Sequence, residues 1–114
     1  MHELSIAHSI LSIAERNIPP GTEGYASAVS LTIGELSGIE IDSLRFAFDA
    51  LKDKTVLAKA ILELEIITGE AECSECKTNF HMPSFGTPCP DCGSYLAHII
   101  KGKEMKVKSI TMEE

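Results

Sequence analysis

The chain has no tryptophan and only six other aromatic residues, two Tyr and four Phe. An aliphatic core is therefore expected. No apolar run approaches the ~20 residues that a membrane-spanning helix needs. The opening stretch Met1–Ala14 lacks the basic segment that begins a secretory signal, so none is expected and the chain is assigned to the cytoplasm. Basic residues are also scarce. Ten Lys and Arg face 17 Asp and Glu, for a formal charge of −7. Residues 1–72 carry twelve acidic against five basic side chains, while residues 73–114 balance at five of each. A protein that grips phosphate backbones carries a basic face, so no nucleic-acid partner is expected.

What the chain does have is four cysteines in two matching pairs, Cys73-Ser-Glu-Cys76 and Cys89-Pro-Asp-Cys92, with twelve residues between them. Two thiolates from each of two tight turns can close one tetrahedral shell, the pattern of a structural zinc site. Without a secretory signal, paired CxxC motifs point to metal rather than disulfides. Four thiolates leave no open position for water, which argues against a catalytic zinc. A rubredoxin-type iron site would use the same sulfurs and would be distinguished by its colour. Pro90 presets the second turn and Gly93 suits a left-handed backbone; the first turn has Lys77 at the corresponding place. His81, between the two pairs, and His98, just after them, read as surface or hydrogen-bonded histidines.

The rest of the chain reads as an α/β fold: a two-layer core of two helices on a three-stranded sheet, with an inserted zinc-ribbon-like module. Residues 3–17 have a helical stripe of Leu4, Ala7, Leu11 and Ala14, widened by Ile6, Ile10 and Ile13, and ended by Pro19-Pro20. Residues 25–36 alternate as a half-buried strand, with Val29, Leu31 and Ile33 on one face and Ser30, Thr32 and Gly34 on the other. Asp42 or Ser43 is expected to cap a second helix whose stripe is Leu44, Ala47, Phe48 and Leu51. Residues 61–68 alternate again, with Leu62, Leu64 and Ile66 opposed to Glu63 and Glu65. In the last strand, Glu104–Met112, the phase slips after Ser109, so a β-bulge is expected. The implied domains are 1–70 with 103–114, and 71–102.

The first residues have their own geometry. The Met1 amine, the His2 amide nitrogen and the His2 Nδ1 are linked through a five-membered and then a six-membered chelate ring. Such rings place nitrogens flat around one ion, an arrangement that suits Ni²⁺ or Cu²⁺. The Glu3 carboxylate can complete the shell. The amide proton must leave, so binding weakens in acid.

Taken together, Met1-His2-Glu3-Leu4-Ser5, Gly34-Glu35-Leu36-Ser37-Gly38, Leu44-Arg45-Phe46-Ala47-Phe48, the paired CxxC motifs and the closing Gly102–Ile110 segment resemble the HypA/HybF family of hydrogenase maturation factors. The resemblance runs from residue 1 to about residue 113. It implies a nickel metallochaperone rather than an enzyme. His2 would be the nickel ligand, assisted by the Met1 amine and Glu3, and Cys73, Cys76, Cys89 and Cys92 would hold zinc. It also implies two partners, a GTPase maturation factor and the large subunit of [NiFe] hydrogenase, with urease a further recipient in some bacteria. Glu40 falls where some members have a carboxylate near the nickel. The alternative reading is a zinc-ribbon interaction module that delivers no metal.

Overall fold

A computed structural model describes residues 2–114, and the side chains from Glu3 onward. Two helices and two three-stranded sheets follow one another as α1 (His2–Asn17), β1 (Tyr25–Gly34), α2 (Ile41–Leu51), β2 (Ile61–Ile67), β3 (Glu70–Cys73), β4 (Asn79–His81), β5 (Ala97–Lys101) and β6 (Met105–Glu113). The first sheet has the order β2-β1-β6 and the second β4-β3-β5. The chain divides into two compact units. One holds residues 1–31, 39–64 and 107–114; the other holds 32–38 and 65–106.

In the first unit, α1 buries Ala7, Ile10, Leu11 and Ala14, with Ile6 and Ile13 half-buried at its margins. Leu4, expected in this stripe, is instead 42% exposed. The last turn closes on itself: Asn17 Nδ2 donates to the Ile13 carbonyl at 2.7 Å and the Ile18 amide to that of Ala14 at 2.9 Å. The two prolines then prevent continuation. Helix α2 packs against α1 through Leu44, Ala47 and Phe48. Its N-cap is Glu40, not Asp42 or Ser43. Glu40 has extended backbone (φ −85°, ψ 111°), and its carboxylate accepts the Asp42 amide at 3.0 Å. A longer acidic side chain thus satisfies one of the orphan donors of the first turn and suits the positive end of the helix.

The first sheet departs from simple alternation at its centre. From Val29 to Gly34 only Ser30 escapes burial, and Thr32 is buried with its apolar neighbours. Strand β1 is the central strand, between β2 and β6, so its own edges are both paired. Edge strand β2 keeps Leu62 buried and Leu64 half-buried, whereas Ile66 is exposed. In β6 the half-buried positions are Met105, Val107 and then Ile110, the slip expected after Ser109, with Met112 turned out.

The second unit is built on a sheet that the periodicity did not reveal. Central β3 pairs antiparallel with β4, Ala71 opposite Phe80, and with β5, Ala71 opposite Ile99, with an irregularity between Glu70 and Ala71. Its small core is Leu36, Ala71, Cys73, Phe80, Met82 and Cys89, flanked by Ala97 and Ile99. Leu36 reaches this core from the segment after β1. That segment is held by backbone bonds from the Glu35 amide to the Ile67 carbonyl (2.8 Å) and from the Leu36 amide to the Gly102 carbonyl (2.6 Å). Gly34 and Gly102 make this approach possible. A Cβ on Gly34 would collide with the Gly102 carbonyl, and Gly102 itself has φ 113°.

Candidate metal centre

Each cysteine pair sits in a tight turn whose hydrogen bonds repeat in the other. The Cys73 amide donates to Thr78 O and the Cys89 amide to Ser94 O, both at 2.9 Å. The Lys77 amide donates to Cys73 O at 3.0 Å and the Gly93 amide to Cys89 O at 2.9 Å. Lys77 and Gly93 both have left-handed backbone, φ 67° and 76°. The lysine therefore takes the conformation the turn demands, at the steric cost that glycine avoids. Gly93 does not aim its own amide at sulfur. The amides that reach the first sulfur of each turn are those of Glu75 and Cys76, at 3.4 and 3.5 Å from Cys73 Sγ, and of Asp91, 3.4 Å from Cys89 Sγ.

These turns bring all four Sγ atoms within 4.8 Å of one another. Cys73 and Cys92 are 3.6 Å apart, as are Cys76 and Cys89. Four ligands at the ordinary Zn–S length of ~2.3 Å lie about 3.8 Å apart around a tetrahedron, so the donor set fits zinc in number, chemistry and spacing. Cys73 and Cys89 are buried in the small core, while Cys76 and Cys92 face outward.

Protonation follows the same geometry. The Thr78 hydroxyl and then its amide pull the Cys76 thiol down to about 6. The Cys76 amide, and more weakly that of Glu75, also lowers Cys73 against partial desolvation. Cys92 goes the other way: the Ser94 amide favours its thiolate, but the Cys73 sulfur, desolvation and the other two sulfurs push it up to about 12. Crowded sulfurs cannot all carry charge unless a cation sits among them, and a divalent metal removes that conflict.

Side chains also cross between the turns. Thr78 Oγ1 donates to Asp91 Oδ2 at 2.8 Å and lies 3.3 Å from Cys76 Sγ. Ser94 Oγ lies 3.4 Å from Glu75 Oε1 and accepts the Leu96 amide at 3.0 Å. Sequence reasoning passed over these four residues, although the signal was present: both turns read Cys-x-acid-Cys-x-hydroxyl, in Cys73–Thr78 and again in Cys89–Ser94.

His81 and His98 are engaged elsewhere. His81 Nε2 is 2.8 Å from Glu35 Oε1, and His98 Nε2 is 3.2 Å from Glu72 Oε1. Glu35 also accepts the Gly69 amide at 2.8 Å, and that bond, followed by the one from His81, holds its carboxyl below the ordinary value. Among the described residues, no His, Cys, Asp or Glu group other than the four cysteines gathers as a metal cluster.

Of the amino-terminal candidates, Met1 and the His2 side chain lie outside the described residues. Glu3 is half-buried, and its Oε2 accepts the Glu40 amide at 3.1 Å. The structure thus brings Glu3 together with the start of α2, where the Glu40 carboxylate is used as the cap.

Comparison with known proteins places this arrangement. A family model described as "Hydrogenase/urease nickel incorporation, metallochaperone, hypA" matches residues 1–112. The hydrogenase maturation factor HypA of Parabacteroides distasonis is 45% identical over 114 residues, all of this chain and 99% of that protein. That of Prosthecochloris aestuarii is 37% identical over 113 residues, 99% of this chain and all of the relative. Two solution structures share the fold. A HypA protein matches at TM-score 0.68 and 28% identity, over 99% of this chain and 97% of that one. The nickel metallochaperone HypA from Helicobacter pylori matches at 0.62 and 26%, over 96% of each. With its whole length matched and its four sulfurs gathered as a metal centre, the chain belongs to the HypA family of nickel-incorporation metallochaperones of hydrogenase maturation.

Proposed function

We propose that this protein carries Ni²⁺ at its amino terminus and passes it on during maturation of [NiFe] hydrogenase, while zinc on Cys73, Cys76, Cys89 and Cys92 is structural. The nickel ligands are the Met1 amine, the His2 amide nitrogen, His2 Nδ1 and the Glu3 carboxylate. The observation that carries the reading is the family match beginning at residue 1, which takes in the Met-His-Glu start. Two physical features support it. Amides of a first helical turn have no intrahelical acceptor, so the nitrogen of His2 can lose its proton to a metal without breaking α1. The Glu3 carboxylate is held at the head of α2 by the Glu40 amide, on the same end of the helix as His2.

The protein works as a cytoplasmic carrier and not as an enzyme. Its sulfur site is closed, and a reversible site on a chain end serves transfer better than turnover. Its partners are a GTPase maturation factor and the large subunit of the hydrogenase, with urease as a second recipient; no nucleic acid or membrane is involved. In untagged protein beginning at Met1, His2→Ala should abolish Ni²⁺ binding measured by calorimetry near neutral pH. Zinc content and the far-ultraviolet circular dichroism should stay unchanged. Equal nickel affinity in the variant, or in protein acetylated at Met1, would remove the amino-terminal site.

A further inference from the structure

Each cysteine turn offers the other a carboxylate and a hydroxyl. Thr78, two residues past Cys76, reaches Asp91 inside the second turn, and Ser94, two residues past Cys92, points back to Glu75 inside the first. We infer that this reciprocal clasp positions the two cysteine turns against each other and so controls how fast the metal leaves. Thr78, Asp91, Ser94 and Glu75 are positioning residues for the four-sulfur site, not ligands.

The two arms are unequal. Thr78 to Asp91 is a bond of ordinary length at 2.8 Å, whereas Ser94 to Glu75 is slack at 3.4 Å. The closed arm carries the effect. It joins the turns at the outward-facing sulfurs, where Cys76 and Cys92 have no core packing to hold them. Cys73 and Cys89 are fixed by burial instead. Release requires the turns to part, and they part from the exposed side, so a tie there acts on the departure of the metal. The clasp also works against electrostatics. A zinc tetrathiolate is a dianion, and Glu75 and Asp91 add further negative charge beside it. On charge alone, removing Asp91 would favour retention of the metal; on the clasp, removing it speeds release. The two accounts differ in sign.

The inference rests on zinc occupying the four sulfurs, and the experiment separates the two. Zinc analysis of the purified protein comes first: less than one equivalent bound to the cysteines defeats the zinc assignment itself. Transfer of zinc from loaded protein to excess chromophoric chelator then gives a release rate. Losing an outer partner of a metal ligand typically weakens a site by 10–100-fold; this arm is exposed, so Thr78→Val and Asp91→Ala should each speed release about tenfold. The double variant should be no faster than Thr78→Val, because the clasp bond is already lost there. Thr78→Ser, which keeps the hydroxyl, should restore the wild-type rate, and Ser94→Ala should change it less than threefold. Cobalt-substituted protein supplies a spectroscopic check: the ligand-field bands should broaden in Thr78→Val and be regained in Thr78→Ser. Unchanged or slower release in Asp91→Ala, or additive effects in the double variant, overturns the clasp even if zinc is bound.

Discussion

Lys77 and Gly93 occupy the same position of two superimposable turns, with φ 67° and 76° and matching backbone bonds. They form an internal experiment on what a side chain costs there. A left-handed backbone is about 1–2 kcal/mol unfavourable for a residue with a Cβ. Glycine escapes that cost but gives back roughly 0.5–1 kcal/mol through the greater freedom of its unfolded chain. A Cβ on Gly93 would touch nothing within 4 Å, so no collision adds to the sum. Gly93→Ala should therefore lose about 0.5–1 kcal/mol, and Lys77→Gly should gain about the same. Because ordering the turns and binding zinc are one process, the difference appears in zinc affinity, where 1.4 kcal/mol is about tenfold. Competition with a chelator of known affinity should place Lys77→Gly about two- to fivefold tighter than wild type and Gly93→Ala weaker by a similar factor. The exchange variant, Lys77→Gly with Gly93→Lys, should return close to wild type. Weaker zinc binding in Lys77→Gly would refute the reasoning, since it would mean that the lysine side chain contributes more than its backbone costs.

Two further outcomes follow from the second unit. Gly34→Ala places a methyl group against the Gly102 carbonyl, a backbone atom that cannot turn aside; it should cost more than about 3 kcal/mol, read as a fall in the urea midpoint, among the largest effects a single substitution produces. Glu35 is held below 4.5 by the Gly69 amide and then by His81, so its carboxylate stabilises the fold fully above its ordinary value and loses that contribution as pH falls through its lowered folded value. Glu35→Gln should thus lower the unfolding midpoint at neutral pH, and the two proteins should converge in acid below pH 4.5; a gap of constant size across that range would show that ionisation is not involved.

What could be read from the chain beforehand follows the strength of its repeating patterns. Helix α1 was legible because sixteen residues of regular spacing end at two prolines, and the four cysteines because their spacing has few other uses. The cap of α2 was not, since Glu40 does with a longer side chain what Asp and Ser usually do, and capping preferences favour the shorter residues. Burial of Thr32 was hidden because period-two reading assumes that one face of a strand meets water, and from Leu31 to Gly34 neither face of β1 does. The sheet β4-β3-β5 was missed for a different reason. Its strands are three to five residues long, too short for alternation to stand out, and two of them border the cysteine turns that dominate the segment. The core they support draws Leu36 from a part of the chain about 35 residues away, which no local pattern can announce. The crossing of Thr78 to Asp91 was legible in principle, because the six-residue repeat is visible, but only once the turns were known to face each other.

The zinc site and the nickel site proposed above differ in how their charge would be balanced, and that difference predicts which metal leaves first. Around zinc, four thiolates outweigh the metal by two charges, and the surplus is spread over amides that already point at sulfur. At the proposed nickel end, only the ionised His2 amide and the Glu3 carboxylate carry negative charge. The first turn of α1 opposes a cation there with about half a positive charge. Glu3 also has a competing claim from the Glu40 amide at 3.1 Å. A single proton returned to the His2 nitrogen removes one of the two negative ligands, whereas the sulfur site must be protonated at several positions, two of them buried, before it opens. If the proposed site is right, nickel should therefore leave at a higher pH than zinc, with the fold intact, when metal content and circular dichroism are followed through an acid titration.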